Sequence, residues 1–189
     1  MGLFNKVFGK PKNTQASQPV PLTPWQEYMS VCEEFGKRPY QQPNMPGEIA
    51  YFTYASPYSK YFDKVAIFDD ERLYWKEAMT GASHSISVRS IQDWSYQNEQ
   101  MYEFDVIVVG FLTTMGEYTI GLEKHAFNRL IACIQAIQRY DHSVKDNMND
   151  EELFNEIVRQ KYRMAVAGGM NCNEVYPGYF DKEMDTLIY

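Results

Sequence analysis

The apolar positions of this chain follow two periods, and the change between them lies near the middle. Phe104, Val106, Val108 and Phe111 mark an apolar strand, with Ile107 and Val109 filling its other face. Residues 113–116 supply a tight reversal, after which Tyr118, Ile120 and Leu122 alternate at period two. The spacing then turns helical. Ala126, Phe127, Leu130, Ile131, Ile134 and Ile137 recur along one stripe, with Cys133 beside it. The pattern predicts a hairpin feeding directly into an amphipathic helix. That helix must bury its stripe, most economically on the sheet it has just left.

Earlier in the chain, Thr23-Pro24-Trp25-Gln26 reads as a helix start, with Thr as N-cap, Pro at the first position and Gln closing a capping box. Trp25, Tyr28, Met29, Cys32 and Phe35 share a face, and Gly36 ends the helix. The proline-rich stretch 38–47 reads as loop, and residues 49–54 as a short aromatic strand. Lys64 to Phe68 and Arg72 to Ala78 form a hairpin around the acidic turn Asp69-Asp70-Glu71, which reads as solvated. Ile86, Val88 and Ile91 predict one strand running on to Asp93, Trp94 and Tyr96. Gln97 to Met101 is polar and reads as a turn.

After a polar break from Asp141 to Met148, Asn149 caps a second helix with Glu152 at its third position. Leu153, Phe154, Ile157, Val158 and Met164 form its apolar side, and Gly168-Gly169 stops it. Met170 to Tyr189 reads as irregular. The divisions are a leader and linker over 1–21, a helix and loop over 22–48, a core over 49–140 and a C-terminal helix and tail over 141–189.

The first twelve residues add a separate feature. Leu3, Phe4, Val7 and Phe8 lie on one helical face, with Lys6, Lys10 and Lys12 around them, and a polar, proline-containing linker follows. A short interfacial membrane foot on an anionic surface is one reading, and a frayed leader is the other. The first 26 residues carry +3 and no acid, which leaves −10 for the remainder of a chain whose formal charge is −7. That balance argues against nucleic-acid binding through phosphate neutralisation. It suits instead an acidic protein that engages a basic site on a partner.

Three separated cysteines, Cys32, Cys133 and Cys172, form neither a disulfide framework nor a zinc motif, and fit a reducing cytoplasm. No metal site or cofactor is expected. No apolar run reaches the ~18 residues of a membrane span. Nucleotide-binding and hydrolase signatures do not occur. One stretch, Gly168-Gly169-Met170-Asn171-Cys172, places a thiol in a Gly-rich loop, where His84, His125 or His142 is a conceivable base. Buried thiols are the commoner outcome for such residues. Tyr51, Tyr54, Tyr58 and Tyr61 concentrate aromatic rings near the first strand, as a partner surface or as plain core.

Three segments carry a resemblance. Residues 65–75 (VAIFDDERLYW), 86–94 (ISVRSIQDW) and 116–122 (GEYTIGL) lie in a run of about seven short strands closed by one helix. Over residues 49–140 this order resembles the bacterial PH-like and GRAM-like superfamily. The resemblance implies an α+β fold, an antiparallel β-barrel or sandwich closed by one helix, with the flanking helices added outside. It also implies a platform for lipids, peptides or proteins with no chemistry of its own. Phosphoinositide-binding members place Lys and Arg near the first hairpin, where this chain has Asp69, Asp70 and Glu71. The expectation is therefore a cytoplasmic, non-enzymatic protein-interaction module, held peripherally at the inner face of the membrane by its N-terminus. An acidic antagonist of a basic partner and a Cys172-dependent enzyme are the alternatives.

Overall fold

A computed structural model describes residues 20–40, 47–140 and 148–180. The leader, with Leu3, Phe4, Lys6, Val7, Phe8, Lys10 and Lys12, lies outside these residues, as do most of the break after Tyr140 and the last nine positions. The described residues form seven strands and four α-helices: α1 (Pro24–Glu34), β1 (Ala50–Tyr54), β2 (Lys64–Phe68), β3 (Arg72–Lys76), β4 (Ser83–Ser87), β5 (Ile91–Met101), β6 (Phe104–Thr113), β7 (Gly116–Leu122), α2 (Lys124–Arg139), α3 (Asp150–Ala167) and α4 (Cys172–Val175). Two antiparallel sheets result, ordered β1-β2-β3-β4 and β5-β6-β7. No ladder joins them into a closed barrel among the described residues.

The hairpin and helix fall where the periodicity places them. Leu130, Ile134 and Ile137 are fully buried, and α2 contacts β1, β6 and the turn between the sheets. One helix therefore covers parts of both sheets. The capping boxes at Thr23 and Asn149 both form, each with its reciprocal bond.

Four expectations need correction. The strand over 86–96 is broken by a 3₁₀ turn, Val88–Ser90, which moves the chain from one sheet to the other. Val88 N–H donates to Glu71 O, and Gln138 Nε2 donates to Val88 O and Ile91 O, so α2 pins the crossover. Gln97 to Met101 is strand, paired with residues 104–108. Pairing with β6 holds it rather than burial, and only Tyr102 and Glu103 turn. The tail after Gly169 is not irregular throughout. It contains α4, and Val175, Tyr176 and Phe180 are buried in the same core as α1 and α3. Phe154 is exposed rather than on the apolar side of α3.

The acidic turn is also clamped rather than merely solvated. Asp69 pairs with Lys161 of α3 at 2.7 Å, Asp70 with Lys37 beyond α1 at 2.7 Å, and Glu71 with Arg89 of the crossover at 2.6 Å. Three consecutive acids thus tie three separate segments to the β2–β3 hairpin. Burial alone would raise the carboxyl of Asp70. The Lys37 ammonium, the Tyr74 hydroxyl and the Arg72 N–H outweigh it, and its pKa is lowered.

Candidate functional site

The residues singled out by sequence separate into structural groups and surface groups. Tyr51 and Tyr54 lie in the core, and burial raises the pKa of both phenols. They are core rings, and the partner-surface reading of these two is corrected. Helices α1, α2 and α3 all contact β1, and the Tyr54 ring meets His125 of α2 at 6.0 Å. Tyr58 and Tyr61 are half-buried and differ from the first pair. They pack on Phe104 at 4.7 and 5.0 Å between ring centroids, and Tyr61 also meets Tyr102 at 5.3 Å. The β1–β2 connection therefore leans on the turn end of the β5–β6 hairpin.

Cys172 is buried, and burial pushes its thiol up to about 12, so a reactive thiolate is absent at neutral pH. The candidate bases are engaged elsewhere. His84 stacks on Trp75 and pairs with Glu77, and His125 pairs with Glu123. His142 lies outside the described residues. The nucleophile reading of Cys172 is corrected: α4 turns its side chain inward. Cys32 and Cys133 are buried too. No group of acids, histidines and cysteines fit to hold a metal occurs among the described residues, and no described helix is long and apolar enough to cross a membrane.

Two half-buried polar groups invite a chemical reading, and their partners explain both. Arg129 donates through Nε to Gly168 O at 2.9 Å and through Nη2 to Thr53 O at 3.1 Å, with Glu27 4.0 Å away. Desolvation raises the Glu27 pKa, while the Thr53 hydroxyl and Arg129 oppose the rise. Here α1, β1, α2 and α3 meet, and the cluster satisfies carbonyls that the helices would otherwise leave buried and unpaired. Asp63 accepts from Gly121 N and Ala78 N, both at 2.8 Å, and its own N–H donates to Gly121 O at 3.0 Å. It fastens the second sheet to the end of β3, and burial raises its pKa.

The three-stranded sheet is different in kind. From Ile91 through Glu123 there is no Lys, Arg or His, against the acids Asp93, Glu99, Glu103, Asp105, Glu117 and Glu123. The first five are exposed and have no ion-pair partner among the described residues. Register places Asp93, Leu112 and Glu117 in one row across the outer face, and Ser95, Gly110 and Thr119 in the next. These six line an open depression of about 250 Å³. Gly110 forms its floor, where a Cβ would meet only Ser95 Oγ at 3.6 Å. Leu112 is 43% exposed between the two carboxylates. On the opposite face Tyr96 packs on Phe127 at 4.9 Å yet stays 56% exposed.

The tip of the β5–β6 hairpin adds a third feature. Tyr102 has φ +58° and is 81% exposed. A non-glycine residue in the left-handed region costs roughly 1–2 kcal/mol, and Tyr102 recovers only a ring contact with Tyr61. A two-residue connection between antiparallel strands calls for a positive φ at its first position, so the turn accounts for the backbone and leaves the ring exposed at the hairpin tip. The charge run from Ile91 to Glu123 was legible in the sequence. The exposure of β5 was not, because a polar strand gives no alternation to read.

Comparison with family models, with curated proteins and with solved structures finds no match to this chain.

Proposed function

We propose that this protein is a non-enzymatic interaction module that presents the β5-β6-β7 sheet to a basic protein partner. One observation carries the reading. The sheet exposes five carboxylates without ion-pair partners among the described residues, beside Tyr96, Tyr102 and Leu112. The acids of the β2–β3 turn are instead paired with cations of other elements. Aromatic rings at exposed positions supply contact area, and complementary charge steers encounter. A PH-like arrangement is part of the proposal. The resemblance implies about seven short strands closed by one helix, and the seven strands followed by α2, which packs against both sheets, support that reading. Lipid headgroups are a poor fit to the sheet and to the acidic β2–β3 turn, since both carry the wrong sign.

Attachment to an anionic membrane falls to residues 1–12. There Leu3, Phe4, Val7 and Phe8 would enter the interface and Lys6, Lys10 and Lys12 would meet headgroups. This places the module at the cytoplasmic face of the membrane, with its acidic sheet turned to a protein. Co-sedimentation with anionic vesicles should fall when the chain starts at Ser17; equal pelleting removes the foot from the proposal. The unpaired charge of the sheet also favours a second reading, an antagonist that occupies a basic active site. The discriminating experiment is affinity capture of full-length protein in its native host, followed by assay of the captured protein. A stoichiometric, salt-sensitive partner supports the module. A partner whose activity is lost on binding selects the antagonist. Absence of any salt-sensitive protein partner overturns both.

A further inference from the structure

The four edge strands of the two sheets are not treated alike. At β1, Tyr176 Oη accepts from Ala50 N and donates to Ala50 O, and Arg129 takes Thr53 O. At β7, the Asp63 backbone and carboxylate occupy both polar groups of Gly121. The β4 strand is five residues long. The β5 strand has eleven residues, no Lys and no Pro, and its only bulge is at its start, between Ile91 and Asp93. Gln138 reaches Ile91 O, and the Asp93 carboxylate accepts from the outward Trp94 N–H at 2.8 Å; beyond Trp94 no other bond to the outer edge of β5 occurs among the described residues. Proteins ordinarily blunt such an edge with charge, proline, bulges or a covering segment.

In an antiparallel ladder every second residue turns its N–H and C=O away from the partner strand. At about 3.3 Å per residue, eleven residues offer about 36 Å of edge, more than a typical five- or six-residue strand needs. The side chains along this edge select what pairs with it. Asp93, Ser95, Gln97 and Glu99 share one face by their register with β6, and Trp94, Tyr96 and Asn98 share the other. The acids on the adjacent strands, Asp105 and Glu117, extend the same sign.

We infer that β5 accepts an extended basic segment of a partner protein as an added strand. The inference deepens the interaction-module reading and rests on it. Main-chain hydrogen bonds along the open edge supply affinity. Lys or Arg at alternate positions of the docked strand would lie beside Asp93 and Glu99, and apolar residues between them would lie beside Tyr96. A second copy of this chain would bring the same acids to the seam, so charge selects a basic segment over self-pairing.

The test is residue-resolved hydrogen exchange on the full chain with two probes, an alternating Lys–Val decapeptide and its Glu–Val counterpart. The Lys–Val peptide should slow exchange, saturably, at alternate residues within 93–101, and the Glu–Val peptide should not. Asp93→Lys with Glu99→Lys, both at exposed positions, should weaken the Lys–Val peptide about tenfold or more with unchanged circular dichroism. No added protection in β5, or equal protection by both peptides, overturns the inference. Protection confined to another surface also overturns it while leaving the interaction module in place. The module itself stands or falls on native capture, whatever the peptides do.

Discussion

The outer edges of β1 and β5 face opposite fates. The β1 edge is closed by a tyrosine hydroxyl, an arginine fork and the end of a helix, and every residue of that strand is buried. Gly168 shows how close the closure is. A Cβ there would sit 1.9 Å from Tyr51 O, so the end of α3 touches strand backbone. Beyond Trp94 the β5 edge has no such cover among the described residues, and most of its residues are exposed. Among the described residues, therefore, the β1 edge is sealed and most of the edge of β5, the longest strand, is not. The four-stranded sheet is closed over by helices, whereas the three-stranded sheet keeps an exposed face and edge, the surface that the proposed function assigns to a partner.

This division predicts unequal costs for similar changes. Leu130→Ala, at a fully buried position on α2, should cost about 2–5 kcal/mol, and Ile134→Ala the same. Leu112→Ala, on the open face, should cost less than about 0.5 kcal/mol. Denaturant melts of the three variants check the contrast, and equal costs would break it. Gly168→Ala should cost about 3 kcal/mol or more, since the obstructing atom is backbone and cannot rotate away. Tyr176→Phe leaves Ala50 N–H and C=O without their partner and should cost about 1–3 kcal/mol in the same assay.

Smaller effects sharpen the comparison. Tyr102→Gly relieves the left-handed strain and should raise stability by about 0.5–1 kcal/mol while weakening capture of the partner. Loss of stability there would mean that the ring serves the fold. Glu27 offers a test by pH. Its folded pKa is raised, chiefly by desolvation, so the folded state binds the proton more tightly than the unfolded state. Its contribution to stability is then fully present below the ordinary carboxylate pKa and is lost as pH rises through the raised folded value. The melting temperature of wild type minus that of Glu27→Gln should therefore increase on acidification from neutral to about pH 4. A flat difference contradicts the desolvation of Glu27 at its half-buried position.

Much of the fold was legible. The period-two run ending at Leu122 and the stripe from Ala126 to Ile137 located the hairpin and α2, because burial on one face writes a period into sequence. Both capping boxes were readable from four residues each. What escaped were features made by distant partners. The pairing of Asp69, Asp70 and Glu71 depends on Lys161, Lys37 and Arg89, and nothing local announces it. The break at Val88–Ser90 left one trace, a step of three between Val88 and Ile91 where a strand keeps a step of two. Tyr51 and Tyr54 could not be told from Tyr58 and Tyr61 by type or spacing. Tyr51 and Tyr54 lie in β1, which α1, α2 and α3 contact, whereas Tyr58 and Tyr61 lie in the connection that follows it. Whether Cys172 was exposed after the Gly168-Gly169 pair or a buried thiol was open in sequence, and α4 buries it. The run without cations from Ile91 to Glu123 was available to any reading of charge along the chain.

Hydrogen exchange of the free, full-length protein tests the central division most directly. Amides of β1 and β2 should exchange only through global unfolding, whereas the outward amides of β5 beyond Trp94, those of Tyr96, Asn98 and Gln100, should exchange orders of magnitude faster in the native state. Uniform protection along β5, equal to that of β1, would mean that its edge is covered and would contradict the account.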